Sequence, residues 1–189
     1  MSARFLPACL LGLIAAAPAF AQGTGDDFTE GKDGAKIHAS GLVCPDTLGH
    51  FERDAVGQQD IDTGADFCAY SALDGVYGTV TVVPLAGPYD PKSALATQFV
   101  ETEGTGGKMI AEKTVTVAPK AGAPLSVYTR TYQTAELESL HYRIEYAGTA
   151  IGNWAVETTI EYADPRDTAV AQSFFDAIYA KATQEIGAK

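Results

Sequence analysis

Short stretches of alternating hydrophobic and polar residues dominate the first half of the chain. Apolar or β-branched residues at every second position, bounded by turn-forming Gly, Asp and Pro, are typical of strands with one buried face. Four such stretches are present: Ile37–Val43, His50–Val56, Phe67–Ser71 and Val76–Val83. The pattern predicts that they form an antiparallel meander.

The second half of the chain repeats this pattern. Met109–Val117 and Ser126–Gln133 are rich in the β-branched and aromatic residues that strands favour. Leu140–Tyr146 and Trp154–Tyr162 alternate apolar with polar residues on either side of a glycine-containing turn. We therefore predict two further strands and then a hairpin with one buried face.

Two segments change from the strand period to the helix period. Asp90-Pro91 supplies an N-cap and a proline at the first helical position, and apolar residues follow at helical spacing as far as Gly104. Asp164-Pro165 opens the second segment, whose apolar residues recur every four positions: Val170, Phe174, Ile178 and Ala182. The order of elements predicts an α+β fold, an antiparallel β-sheet with two main helices packed on it.

This order of elements resembles the Mog1/PsbP-like sandwich, which includes small bacterial envelope proteins of the DcrB kind. The likeness spans Ile37 to Ile186 and includes the helix after the first meander, the four-strand run, and the closing helix with Ser173-Phe174-Phe175. Members of that fold differ in role. The resemblance therefore implies an envelope or partner-binding protein and implies no catalytic residue.

The N-terminal residues are arranged like a cleavable export signal. Arg4 supplies a positive charge, Leu6–Ala17 is apolar, and Ala19-Phe20-Ala21 offers small residues where a signal peptidase reads the chain. The apolar stretch, about 12 residues, is shorter than the roughly 20 that a membrane-spanning helix needs. Leu6-Pro7-Ala8-Cys9 offers a second interpretation, a lipoprotein cleavage box.

The chain is thus predicted to have three parts. Residues 1–21 are a Sec-type signal peptide, residues 22–36 are a flexible leader rich in Gly and Asp, and residues 37–189 are a single domain. We expect the protein in the periplasm or secreted, with no stable membrane insertion.

The net charge limits the classes of partner that the chain can bind, and the cysteines predict a disulfide. The net charge of −11 disfavours nucleic acid, because a protein that binds phosphates must present positive charge. Cys44 and Cys68 remain after signal cleavage, and an even number of cysteines in an exported protein predicts a disulfide. No cofactor is predicted, since the chain has no P-loop, no dinucleotide-binding glycine motif and no zinc-ligand spacing among its three histidines.

One acidic segment lies inside the predicted disulfide loop. Asp62-Thr63-Gly64-Ala65-Asp66 matches the loop of retroviral-type aspartic proteases, but the chain has no second copy and no apolar strand before it. Asp60, Asp62 and Asp66 alternate in a way that suits a weak calcium site, although the loop lacks the distal Glu of an EF-hand. The sequence favours a polar turn.

The candidate binding patch lies on the strands of the second half. Tyr128, Arg130 and Tyr132 share one face of their strand by the period of two, and His141 and Arg143 share one face of theirs. On one common surface, an arginine would bind an anionic group and the tyrosines would supply contact area. The alternative is a solvated sheet face with cross-strand ion pairs.

We therefore predict an exported, non-catalytic periplasmic domain that binds a small ligand or an envelope protein partner. The alternative is a periplasmic hydrolase that uses acidic residues or the His141 face. An enzyme needs a cleft with a titrating group of shifted pKa, whereas a binding module needs only an exposed patch.

Overall fold

The computed structural model describes residues 27–73, 75–118 and 123–186. Of these residues, 54% lie in strands and 22% in helices. The predicted signal peptide and the first part of the predicted leader, up to residue 26, lie outside the described residues. No helix in the described ranges is long and apolar enough to cross a membrane.

Three short strands form one small sheet: β1 Phe28–Glu30, β2 Lys36–His38 and β3 Val43–Cys44. Eight strands form the main sheet: β4 Thr47–Leu48, β5 Phe51–Asp60, β6 Ala65–Ala72, β7 Val76–Pro84, β8 Lys108–Val117, β9 Leu125–Leu137, β10 Leu140–Ile151 and β11 Trp154–Asp164. The helices are α1 Pro91–Ala94, α2 Ala96–Gly104 and α3 Thr168–Glu185.

The main sheet consists of two antiparallel meanders that meet in the middle. Its spatial order is β4-β5-β6-β7-β11-β10-β9-β8, so the pairing of β7 with β11 joins the two halves. The chain leaves β7 through α1 and α2 and enters the second meander at β8, the far edge of the sheet. The long strand β9 therefore lies beside the edge strand β8, and β10 lies between β9 and β11.

Each face of the main sheet carries its own hydrophobic cluster. On one face α3 buries Phe174 and Ile178 against residues that include Val80 and Val156. On the other face, Phe99 of α2 packs against Tyr128, Tyr132 and Tyr146, and we call these four residues the aromatic cluster. Leu95, the residue before α2, is buried with them. The sheet is thus covered on both faces.

The predicted α+β sandwich with two main helices is wrong. The protein is mostly β, with an eight-stranded and a three-stranded sheet and one main helix at the C-terminal end. The predicted first helix consists of two short segments separated at Leu95, whose backbone (φ −91°, ψ 7°) leaves the helical region. The strands are also longer than predicted, because β10 continues through Gly148 instead of turning there.

Gly148 explains why β10 is longer than the hydrophobic pattern of the sequence predicts. A Cβ at this position would collide with the hydroxyl of Tyr89, which packs against the strand. The glycine is therefore required by a close approach of the segment before α1 and does not mark a turn. A contact between residues 59 positions apart leaves no local pattern in the sequence.

Register also changes the predicted hairpin of β10 and β11. Tyr146 pairs with Thr159, whereas Val156 pairs with Thr149. Tyr146 therefore points to the α2 face and Val156 to the α3 face, where each joins a different cluster. The hairpin has two buried faces, not one.

Part of the predicted leader is ordered. Phe28–Glu30 forms β1 and pairs antiparallel with Lys36–His38. The turn between them places Asp33 and Gly34 at positive φ, 55° and 77°. Glycine and aspartate tolerate this conformation, so a segment that reads as a flexible leader forms a tight hairpin.

Candidate functional site

The five residues of the predicted binding patch do not form one surface. Tyr132 pairs with Ile144, and both side chains lie on the α2 face together with that of Arg130. Arg143 is one residue out of phase with Ile144 and therefore points to the α3 face, as does His141. The sheet thus divides the predicted patch between its two faces.

The Tyr128, Arg130 and Tyr132 part of the patch is covered by α2. Tyr132 is 0% exposed, and the Arg130 guanidinium lies 4.2 Å from the centre of the Phe99 ring. Arg130 also donates hydrogen bonds to the Tyr132 hydroxyl (3.1 Å) and to a Glu112 carboxylate oxygen (2.8 Å). Arg130 thus uses its charge and its flat face to dock α2 on the sheet. These residues stabilise the packing of α2 on the sheet.

His141 and Arg143 lie on the α3 face and are both partly exposed. Arg143 donates to the side-chain oxygen of Gln133 (2.7 Å) and to a carboxylate oxygen of Asp164 (3.2 Å). His141 Nδ1 lies 3.5 Å from a Glu136 carboxylate oxygen. These contacts tie β9, β10 and β11 together across the sheet. They match the cross-strand ion pairs of the alternative interpretation.

The three residues of the weak calcium candidate are not brought together. Asp60 and Asp62 are exposed at the turn after β5, and an Asp60 carboxylate oxygen accepts a hydrogen bond from the Asp62 backbone N–H (2.8 Å). This bond holds the pKa of Asp60 below its usual value. Asp66 is 1% exposed and faces His38 instead.

The predicted disulfide between Cys44 and Cys68 is confirmed. It joins β3 of the small sheet to β6 of the main sheet, with the two Cα atoms 6.4 Å apart. Both cysteines are 1% exposed and belong to the core under α3. The bond is a buried structural link rather than an accessible redox pair.

A buried polar cluster that the sequence did not reveal lies next to this disulfide. We call it the His38 cluster and define it as Asp27, His38, Ser40 and Asp66. His38 and Asp66 are each 1% exposed, and His38 Nε2 lies 3.2 Å from an Asp66 carboxylate oxygen. The same oxygen accepts a hydrogen bond from the Asp27 backbone N–H (2.9 Å). Two charged or titratable groups removed from water in this way must be paired to be tolerated.

The His38 cluster contains three side chains of the kinds that bind metals. Among the described residues, Asp27, His38 and Asp66 are the only three metal-ligating side chains whose ligand atoms lie within 4.8 Å of one another. However, His38 Nδ1 accepts a hydrogen bond from the Ser40 backbone N–H (3.0 Å), so the proton of the neutral ring sits on Nε2. A metal-bound histidine normally donates from its second nitrogen. The hydrogen bonding therefore does not fit a metal ligand.

The open cleft beside α3 is a better candidate for a functional site. It lies between β8, β9 and α3, has a volume of about 450 Å³, and we call it the Glu145 cleft. One wall is apolar and includes Val115, Val117 and Phe175. The polar side chains that line it include those of Lys113, Glu145, Gln172 and Asp176. A cleft of this size with a few converging polar groups is typical of small-molecule sites.

Glu145 is the most perturbed group in the Glu145 cleft. Its carboxylate accepts a hydrogen bond from the Thr131 hydroxyl (2.9 Å). Burial raises the pKa of Glu145, and the Thr131 bond and the charge of Lys113 oppose that rise. The period of two places Glu145 on the same strand face as His141 and Arg143, but it does not say which face is covered, so the sequence alone could not show that α3 partly covers Glu145.

The raised pKa of Glu145 makes a testable prediction. In the folded state this carboxyl holds its proton at pH values where the unfolded chain, with a pKa of about 4.3, has released it. Stability is therefore lost as the pH rises above that value. We expect Glu145→Gln to raise the free energy of unfolding at pH 7 and to leave it nearly unchanged at pH 4, in urea titrations.

The matched control for this prediction is Glu161→Gln, at an exposed position of the neighbouring strand. It should change stability little at either pH. Equal effects of the two substitutions at pH 7 would show that burial of Glu145 does not destabilise its charged form.

A second cleft lies on the other face of the sheet. It has a volume of about 540 Å³ and is lined by residues of α1, α2, β5–β7 and β11. Its titratable side chains are Asp60, Glu101 and Glu157. The Tyr89 hydroxyl donates to Glu157 (2.9 Å), and burial raises the pKa of this carboxyl. No Lys, Arg or His lines this second cleft, whereas Lys113 lines the Glu145 cleft, so the Glu145 cleft offers the more varied chemistry.

Comparisons with known proteins do not assign the chain to a group. No family model, no curated protein and no solved structure matches it. The resemblance to Mog1/PsbP-like proteins therefore stays a prediction. Function has to be inferred from the geometry of the chain itself.

Proposed function

We propose that this protein is an exported, non-catalytic domain that binds a small amphipathic molecule in the Glu145 cleft. The observation that carries the proposal is the lining of that cleft, which joins an apolar wall to a polar one. The apolar body of a ligand would lie against Val115, Val117 and Phe175. Its polar head would meet Lys113 and Glu145, which offer a charge and a hydrogen-bonding carboxyl.

The setting of the cleft supports a binding role. Paired strands line one side of the cleft, and an 18-residue helix anchored in the core lines the other. Little reorganisation is therefore needed when a ligand enters. The volume falls within the range of about 300–1,000 Å³ that ligand sites occupy. The disulfide supports export, because such bonds persist in oxidising compartments.

The experiment uses three probes with the same eight-carbon chain and different heads: a carboxylate, an amine and an alcohol. Isothermal titration of the oxidised protein should give saturable binding with one site per chain. We expect Val115→Asp, which places a charge on the apolar wall, to weaken binding at least tenfold, since burying an unpaired carboxylate is costly.

The control is Val100→Asp on the outer side of α2, where the native side chain is 69% exposed. This substitution introduces the same charge away from the Glu145 cleft and should leave affinity unchanged. Circular dichroism melting curves of both variants establish that each is folded. Absence of binding for all three probes, or equal losses in the two variants, would contradict the proposal.

One observation favours a hydrolase as the second candidate. Glu145, whose pKa is raised, shares its cleft with Asp176 on α3, which accepts a hydrogen bond from Gln172 (2.9 Å). Two carboxyl groups in different environments are what acid–base hydrolysis requires. If the protein turns over p-nitrophenyl esters or glycosides and Glu145→Gln abolishes that turnover, the non-catalytic proposal fails.

A further inference from the structure

The His38 cluster holds the small sheet against the main sheet through a hydrogen-bond pattern that favours a neutral ring. His38 Nδ1 faces two groups of its own turn: the Ser40 backbone N–H at 3.0 Å and the Ser40 hydroxyl at 2.9 Å. The Ser40 hydroxyl oxygen in turn accepts from the Leu42 backbone N–H at 3.2 Å. The hydroxyl proton is therefore free to point at Nδ1, which accepts from both groups.

A second proton on the ring would meet a fixed hydrogen-bond donor in this arrangement. It would have to sit on Nδ1, because Nε2 already carries the proton that faces Asp66. Nδ1–H would then oppose the fixed Ser40 N–H, and the Ser40 hydroxyl could accept from Nδ1–H only after turning its own proton away from the ring. An acidified ring can remain in place only if the turn after β2 rearranges.

Two carboxylates near His38 would attract a positive charge on its ring. Asp66 on β6 and Asp27 before β1 are the charged groups that act on the ring. Its other neighbours are the rings of Phe28 and Trp154, at centroid distances of 5.2 and 5.1 Å. Desolvation by this burial lowers the pKa of His38, and attraction to the two carboxylates only partly opposes it. The folded state therefore favours the neutral ring.

Other polar links attach the small sheet to the rest of the protein at β3 and at the turn before β2. The Val43 backbone N–H donates to a Glu185 carboxylate oxygen (2.8 Å), and the Cys44–Cys68 disulfide fixes the end of β3. At the turn, an exposed bond from the Arg53 guanidinium reaches the Gly34 carbonyl (3.0 Å). None of these links involves a histidine.

The strands β1 and β2 meet β6 through the His38 cluster. The Asp27 backbone N–H and the His38 ring approach the same Asp66 carboxylate oxygen, at 2.9 and 3.2 Å. The same buried oxygen therefore contacts groups at both strands, so a change in the charge of the His38 ring affects the attachment of both.

We infer that the His38 cluster is an acid-sensitive latch, whose protonation releases β1 and β2 from the main sheet while the disulfide keeps β3 attached. The closed state binds no second proton and the open state binds one with the ordinary histidine pKa of about 6.5. The opening equilibrium should then increase up to about 30-fold between pH 7.5 and pH 5.0. Release would uncover the Trp154 ring, which His38 contacts edge-on.

Hydrogen exchange followed by mass spectrometry tests the latch on the oxidised full chain. Exchange rates at pH 7.5 and pH 5.0 are corrected for the pH dependence of the intrinsic rate. Peptides that cover residues 27–42 should lose protection up to about 30-fold at pH 5.0. Peptides from β9 and β10 should keep theirs, because the main sheet does not depend on His38.

Two histidine substitutions provide the variant and its control. His38→Asn keeps an oxygen that accepts the Ser40 N–H but cannot titrate, so its protection over residues 27–42 should not depend on pH. His141→Asn removes a histidine outside the cluster, whose side chain is 36% exposed, and should keep the wild-type response. Loss of the response in His141→Asn, or its persistence in His38→Asn, would overturn the latch.

A measurement on the wild-type protein covers the case in which His38→Asn does not fold. Long-range ¹⁵N–¹H spectra report the tautomer and the protonation of each ring. We expect the His38 ring of the closed state to carry its proton on Nε2 and to stay neutral at pH 5.0. A doubly protonated His38 in a chain whose residues 27–42 remain protected would refute the inference.

Discussion

Replacement of Phe174 by alanine is expected to lower the free energy of unfolding by about 3–5 kcal/mol, measured by urea titration. Phe174 is 1% exposed and anchors α3 to the sheet. Its ring centre lies 4.9 Å from that of Phe51 and 5.9 Å from that of Tyr70. Truncation removes these contacts and leaves a cavity that the paired strands below cannot close.

Gly78 provides the matched control for Phe174. A Cβ on Gly78 would lie 2.7 Å from the Phe174 ring, so Gly78→Ala in the wild-type protein should cost about 1–3 kcal/mol through overpacking. In the Phe174→Ala background the added methyl group enters the cavity, and the cost should largely vanish. If the two substitutions were additive, the ring would not be packed on the Gly78 backbone.

Removal of the disulfide by Cys44→Ala and Cys68→Ala together is expected to cost about 3.5 kcal/mol, from the entropy of the closed loop. The two cysteines are 24 positions apart in sequence and are both buried, so alanine avoids placing an unpaired hydroxyl in the core. Urea titration of the oxidised wild type and of the double variant measures the difference.

Reduction of the wild-type protein provides the control for the double variant. Under reducing conditions its unfolding midpoint should approach that of the alanine variant, whose own midpoint should not respond to the reductant. A double variant as stable as the oxidised wild type would show that the bond does not constrain the unfolded chain.

The positions of the main elements followed from local patterns. Asp90-Pro91 marked the start of α1, where the Asp90 carboxylate caps the backbone N–H groups of Lys92 and Ser93. The four-residue spacing of Phe174, Ile178 and Ala182 marked the buried side of α3. These features depend on residues one helical turn apart or less, so the sequence displays them directly.

The candidate site was harder to predict because it depends on contacts between distant segments. Tyr128, Arg130 and Tyr132 share a strand face as expected, but which face α2 would cover was not encoded in their spacing. The Glu145 cleft exists only because α3 crosses beside β8 and β9. Asp66 read as part of an acidic turn, whereas it is buried against a histidine 28 positions earlier.

By itself, the sequence determined the start of α1, the starts of β5–β11 to within two residues, and which cysteines pair, since periodicity, capping residues and cysteine number are properties of neighbouring residues or of the composition. The tertiary structure alone decided that both faces of the sheet are covered, that β1 joins the fold, and that His38 meets Asp66. Each of these depends on strand order and register, which place residues from distant parts of the chain side by side and leave no periodic trace in it.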